Sequence, residues 1–127
     1  LKGKRVVLYF YPKDMTSGCT VEAHEFSSLA ERFAREDTLV FGISPDSIES
    51  HEKFITKERI TFPLLSDPDH AVAEKYGVWV EKSMYGKKYM GIERSTFVID
   101  PQGKLSAVYR KVKPEGHAEC VLSDLSV

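Results

Sequence analysis

The chain has 127 residues, a formal net charge of −1, 29% charged residues and only two cysteines. That length builds one hydrophobic core, so 1–127 is expected to form a single domain. Near-neutral, interspersed charge gives no basis for nucleic-acid or anionic-membrane binding. There is no long apolar run or signal-peptide pattern, and two distant cysteines do not make a disulfide-stapled secreted scaffold, so a reducing cytoplasm is the expected compartment.

The first element is a β-branched and aromatic run, Val6 to Tyr11, ended by Pro12; it reads as a buried strand. A polar turn follows, and from Cys19 to about residue 35 the pattern is helical, with Phe26, Leu29, Ala30 and Phe33 on one stripe. Thr16 or Ser17 can cap that helix. At about 100° per residue, Cys19 falls within about 20° of Phe26 and Glu22 within about 40°, so both point inward, while His24 points to solvent.

Thr38 to Ser44 reads as a second buried strand, stopped by Pro45 and followed by a helix over about 48–57. Phe62-Pro63-Leu64-Leu65 is a short strand at an edge or bend, and Asp67-Pro68-Asp69 starts a helix over about 70–76 that Gly77 ends. The aromatic and lysine-rich stretch 78–92 suits a β excursion or an irregular loop. The runs 95–99 and 104–109 flank Asp100-Pro101-Gln102-Gly103, a hairpin signal, and a last helix is predicted from near Pro114 to about Leu125. Alternating strands and helices followed by an antiparallel pair predict a mixed sheet with helices on both faces, an α/β thioredoxin-like fold. In such sheets, sites gather where strand ends meet helix starts, and Cys19 lies at such a junction.

A thiol in the first turn of a helix meets the positive end of the helix dipole and unpaired backbone N–H groups, which favour the thiolate. Position alone leaves a second reading open, a small buried hydrophobe. The histidines His24, His51, His70 and His117 are scattered near helix starts or on polar faces, with no ligand spacing, so neither metal nor cofactor is expected.

Pro12, Thr16 and Cys19 match the motif P-x-x-x-T-x-x-C, and with Phe10-Tyr11-Pro12-Lys13, Gly18, Glu22, Lys75-Tyr76-Gly77-Val78-Trp79 and Gly91 to Asp100 the chain resembles the peroxiredoxins, in particular the peroxiredoxin Q or bacterioferritin-comigratory-protein branch. The resemblance covers nearly the whole chain and implies a thioredoxin-like fold and a thiol-dependent peroxidase acting on hydrogen peroxide and organic hydroperoxides in antioxidant defence. It implies that Cys19 is the nucleophile, that Pro12 shields the thiolate, and that Arg94 is the active-site arginine. Thr16 could hydrogen-bond the sulfur or the peroxide, and backbone N–H groups near Gly18 and Cys19 could hold the peroxide oxygens. Glu22, if buried, needs a partner, and Arg94 is the obvious one. Each has a structural rival: Thr16 as a helix cap, Arg94 as a solvated strand-end residue, Pro12 as a strand terminator, Glu22 as a dipole-favoured acid.

Many relatives on this branch carry a resolving cysteine five residues after the peroxidatic one, where this chain has His24. Cys120, the other cysteine, projects away from the stripe Ala118, Val121, Leu122 and Leu125, so pairing it with inward-facing Cys19 would need unfolding or a second chain. The expectation is therefore a one-cysteine cycle, in which thioredoxin, glutaredoxin or a small thiol reduces the sulfenic acid, with Cys120 as resolving thiol the alternative. A non-enzymatic holdase or redox-sensing role is the other alternative. A disulfide oxidoreductase would need C-x-x-C, but Thr16 occupies its first position, and a copper module would need a C-x-x-x-C pair. Relatives also imply a preceding N-terminal segment with a β-hairpin, since the chain opens Leu1-Lys2-Gly3 without methionine, and a monomeric state.

Overall fold

Alternation along the first strand sets the architecture. In the computed structural model, which describes residues 3–125, Val7, Tyr9 and Tyr11 are buried in one apolar cluster and Leu8 and Phe10 in another. Their strand, β1 (Arg5–Phe10), is followed by α1 (Ser17–Ser28), α2 (Ala30–Arg35), β2 (Thr38–Ser44), α3 (Ile48–Glu58), β3 (Leu64–Ser66), α4 (Ala71–Lys75), β4 (Trp79–Met84), β5 (Lys87–Ile92), β6 (Ser95–Ile99), β7 (Leu105–Tyr109) and α5 (His117–Leu125). The sheet order is β3-β2-β1-β6-β7, with β1 central, β2 and β3 parallel, and β6 and β7 antiparallel. β4 and β5 form a separate two-stranded hairpin.

A central strand buried on both faces must be apolar on both, as β1 is. On the first face Val7 and Tyr9 meet Cys19, Ala23 and Phe26 of α1, Phe33 of α2, Phe54 of α3 and Ala118, Val121 and Leu122 of α5. Tyr9 stacks on Phe26 with ring centroids 4.7 Å apart. The other face is covered by Ala73 of α4 together with Val78 and Ile92, which bracket the hairpin. This is the thioredoxin-like mixed sheet expected from the order of elements.

The predicted single helix over 19–35 is two helices. Leu29 leaves helical geometry with φ −102° and ψ 4°, Ser28 Oγ donates to the Glu25 carbonyl, and Ser27 Oγ accepts from the Thr61 N–H. At the break Ser28 Oγ shares the Glu25 carbonyl with the Leu29 N–H, while Ser27 ties the end of α1 to Thr61. The last helix also starts later than predicted, at His117, because Gly116 sits at φ +78°. The 78–92 excursion is a regular hairpin with Tyr85 and Gly86, both at positive φ, at its tip.

Candidate active site

β1 delivers the chain to the site, and α1 begins it again. Cys19 is the third residue of α1, in the turn whose N–H groups have no intrahelical acceptor, and is 1% exposed. Arg94, in the short link between β5 and β6, points its guanidinium at the same spot: Nη2 donates to Cys19 Sγ at 3.3 Å and Nη1 to Glu22 Oε1 at 2.6 Å. Its backbone carbonyl accepts from the Val112 N–H, which fixes the link against the segment leading to α5. Fork geometry lets one side chain serve both partners.

Gly18 is the residue that makes room. A Cβ there would lie 3.2 Å from Pro114 Cγ and 3.3 Å from Arg94 Nη2, so any larger residue presses on the guanidinium. Burial works against the Arg94 charge, and the neighbouring Glu22 and Cys19 more than offset it, so the cation is held. Glu22 is fully buried, and its Oε2 has no hydrogen-bond partner among the described residues. Burial pushes its carboxyl up to about 7, with Arg94 pulling the other way.

That shift has a measurable sign. The folded chain keeps a proton on Glu22 that an unfolded chain releases near 4.5, so as pH rises from there to about 7 the fold loses stability. For one carboxyl the loss is on the order of 3 kcal/mol. Glu22→Gln removes this slope. In urea unfolding across that window, its stability relative to the parent chain should grow with pH and level off above it; a difference independent of pH would mean that Glu22 ionises as an ordinary carboxyl.

Thr16 stands at the N-cap, but its side chain does not cap; the Oγ1 hydroxyl donates instead to the Lys13 carbonyl at 2.8 Å. Thr16 is therefore the N-cap by position without a side-chain cap, and with its proton committed its oxygen is available as an acceptor. Pro12 is half-buried where β1 ends. Cys120 is exposed on α5 while Cys19 is buried, and both are free thiols. His24 faces solvent and lies 2.8 Å from Glu58 of α3.

Two histidines read as lying on polar faces are instead buried, His51 at 2% and His117 at 6% exposure. His117 Nε2 lies 2.7 Å from Thr96 Oγ1, and burial together with the Arg94 charge lowers its pKa to about 4, so it is neutral near the site. Lys82 of β4 was also missed: burial and the Arg94 charge lower its pKa while Cys19 and Glu93 pull it up, which places this half-buried amine within electrostatic reach of the site. Of the aromatic residues before Arg94, Tyr85 is 98% exposed and Trp79 stacks on His70 at 3.9 Å. Among the described residues no cluster of three His, Cys, Asp or Glu is placed to hold a metal, and no helix is long and apolar enough to cross a membrane.

The arrangement is a buried thiol at a helix start with a charged donor fork on its sulfur, a geometry suited to forming a thiolate and to stabilising negative charge on an atom bound beside it. Residues 1–108 match the model of the AhpC/TSA family. The chain is 52% identical to the peroxiredoxin Bcp of Bacillus subtilis, over 98% of this chain and 79% of that one, and 51% identical to a putative peroxiredoxin of Coxiella burnetii, over 98% and 83%. Among solved structures it superposes with a TM-score of 0.94 on the bacterioferritin comigratory protein of Xanthomonas campestris, studied for alkyl peroxide reduction, at 45% identity over 98% of this chain and 80% of that one.

Proposed function

The chain belongs to the AhpC/TSA family as a peroxiredoxin, a thiol-dependent peroxidase, and from that premise we propose that Cys19 is the thiol that peroxide oxidises. The contact of Arg94 Nη2 with Cys19 Sγ in the first turn of α1 carries the assignment. The thiolate attacks one oxygen of the peroxide, an S–O bond forms, and the O–O bond breaks with its electron pair going to the departing oxygen. That oxygen takes a proton and leaves as water or an alcohol, and Cys19 is left as a sulfenic acid.

The Arg94 fork faces the developing charge and is held in place by Glu22. N–H groups at Gly18 and Cys19 hold the peroxide oxygens, and the Thr16 oxygen accepts from the O–H of the bound peroxide. Pro12 shields the thiolate from water. Hydrogen peroxide and organic hydroperoxides fit this chemistry equally, since only the O–O unit is engaged.

Recovery needs two thiol equivalents. A first thiol attacks the sulfenic sulfur, releasing water and leaving a mixed disulfide, and a second releases Cys19 as a thiol with the reductant as a disulfide. We assign both to an external reductant of the thioredoxin class, because Cys120 faces outward on α5 and the position five residues after Cys19 is His24. A single-domain monomer acting in the cytoplasm suits this cycle.

The test is intact mass under non-reducing conditions after stoichiometric hydrogen peroxide, on the parent chain and on Cys120→Ser. A trapped sulfenic acid at Cys19 that persists in Cys120→Ser is the expected result. Loss of two hydrogens, abolished by that substitution, would make Cys120 the resolving thiol. An unoxidised Cys19 would sink the assignment.

A further inference from the structure

Asp14 and His51 form an ion pair away from the thiol, both side chains almost wholly buried, at 1% and 3% exposure. Asp14 belongs to the loop between β1 and α1, and His51 to α3. His51 Nδ1 lies 2.7 Å from Asp14 Oδ2, and Nε2 lies 2.9 Å from the Leu65 carbonyl oxygen in β3. A carbonyl can only accept. The Asp14 carboxylate is itself ringed by donors, with Tyr11 OH on Oδ1 at 2.6 Å and Ser50 Oγ on Oδ2 at 2.8 Å. Both ring nitrogens therefore donate, and His51 is an imidazolium.

The titration directions agree with this geometry. Burial opposes the His51 charge, but the hydrogen bond and charge of Asp14, the Leu65 carbonyl and Asp46 raise its pKa overall. Burial likewise works against the Asp14 carboxylate, and the hydrogen bonds from His51, Tyr11 and Ser50 outweigh it and lower its pKa. The Asp14 N–H donates to Asp46 Oδ2 at 2.8 Å, and Ser44 Oγ at the end of β2 donates to the same oxygen at 2.7 Å. Asp14 thus ties its loop to β2, α3 and β3.

That loop carries chemistry at its far end. Met15, next to Asp14, is held at φ +64°, an unfavourable left-handed conformation for a side chain of its size, and Thr16 and the first turn of α1 follow directly. A strained residue persists only where its surroundings over-determine it. We propose that His51 is a positioning residue for peroxide reduction: by clamping Asp14 it fixes the loop that sets Thr16 and the first-turn N–H groups around Cys19.

This inference rests on Cys19 as the reacting thiol, which the mass measurement on the parent chain tests before any change at position 51. The experiment compares His51→Gln with Phe33→Leu, a core change in α2 remote from the loop, by second-order rate constant for hydrogen peroxide as a function of pH, alongside thermal unfolding. A glutamine amide cannot donate in both directions at once. His51→Gln should lose about 10- to 100-fold in rate constant, the range expected for a small misplacement of donors. The pH profile supplies a readout that stability does not. The clamp is present while Asp14 is ionised and His51 protonated, and it is lost as pH rises through the raised His51 pKa. The parent chain should therefore show an alkaline decline in rate that His51→Gln lacks, and Phe33→Leu should keep both the rate and the decline while unfolding at lower temperature. An unchanged rate constant and profile in His51→Gln would overturn the inference, as would a Phe33→Leu variant that lost rate and decline in the same way.

Discussion

Replacing Cys19 with serine is expected to remove peroxide reduction while leaving the fold in place. A serine hydroxyl stays protonated at neutral pH, and oxygen cannot take the place of sulfur as the atom oxidised, so the step that breaks the O–O bond has no route. A loss of at least about four orders of magnitude in rate constant, about 5.5 kcal/mol of barrier, is the expected effect in a peroxide-consumption assay with a thiol reductant. Structurally the exchange is mild. Cys19 is small and buried, and Arg94 Nη2, which donates to Sγ, can donate to a hydroxyl at the same place. Unfolding temperature should move by only a few degrees, so lost activity cannot be put down to lost fold. Turnover retained in Cys19→Ser would overturn the assignment and move attention to Cys120.

How far the sequence reaches follows from where the partners lie. The central strand is legible because its two faces are both apolar and both written in consecutive residues, Val6 to Tyr11. The inward direction of Cys19 and Glu22 is legible because both project from the stripe that Phe26 anchors, and both are buried. The family motif adds Arg94, which lies in a link with no periodicity of its own and yet supplies both contacts at the site.

What escapes is settled by residues far apart in the chain. His51 shares a helical face with Ile48, Phe54 and Ile55, so spacing alone turns it inward; what no local pattern supplies is its partners, Asp14 in the loop after β1 and a carbonyl in β3. No local pattern announces an imidazolium that three elements enclose. The break at Leu29 is similar in kind: the apolar stripe runs on through it, and the tie from Ser27 to Thr61, which lies more than thirty residues on, is not written in that stripe. Position reads Thr16 correctly as the N-cap, but its hydroxyl donates to the Lys13 carbonyl and not to the helix.

Arg94→Gln is expected to cost the second largest loss, about a hundred- to a thousand-fold in the peroxide rate constant, the scale of deleting one preorganised donor to a developing negative charge. Arg94→Lys should not restore it, because a single ammonium cannot reach Cys19 Sγ and Glu22 Oε1 as the two arms of the guanidinium do at 3.3 and 2.6 Å. Removing the arginine also strands Glu22, wholly buried, without its partner, and above about pH 7, where that carboxyl is ionised beside Arg94, breaking the pair from one side destabilises by about 3 to 5 kcal/mol. The two effects separate in the double variant Arg94→Gln with Glu22→Gln. Its stranded carboxyl is gone, so most of the unfolding temperature should return, while the rate constant stays at the level of the single variant. Recovery of rate together with stability would show that Arg94 serves the fold and not the departing oxygen.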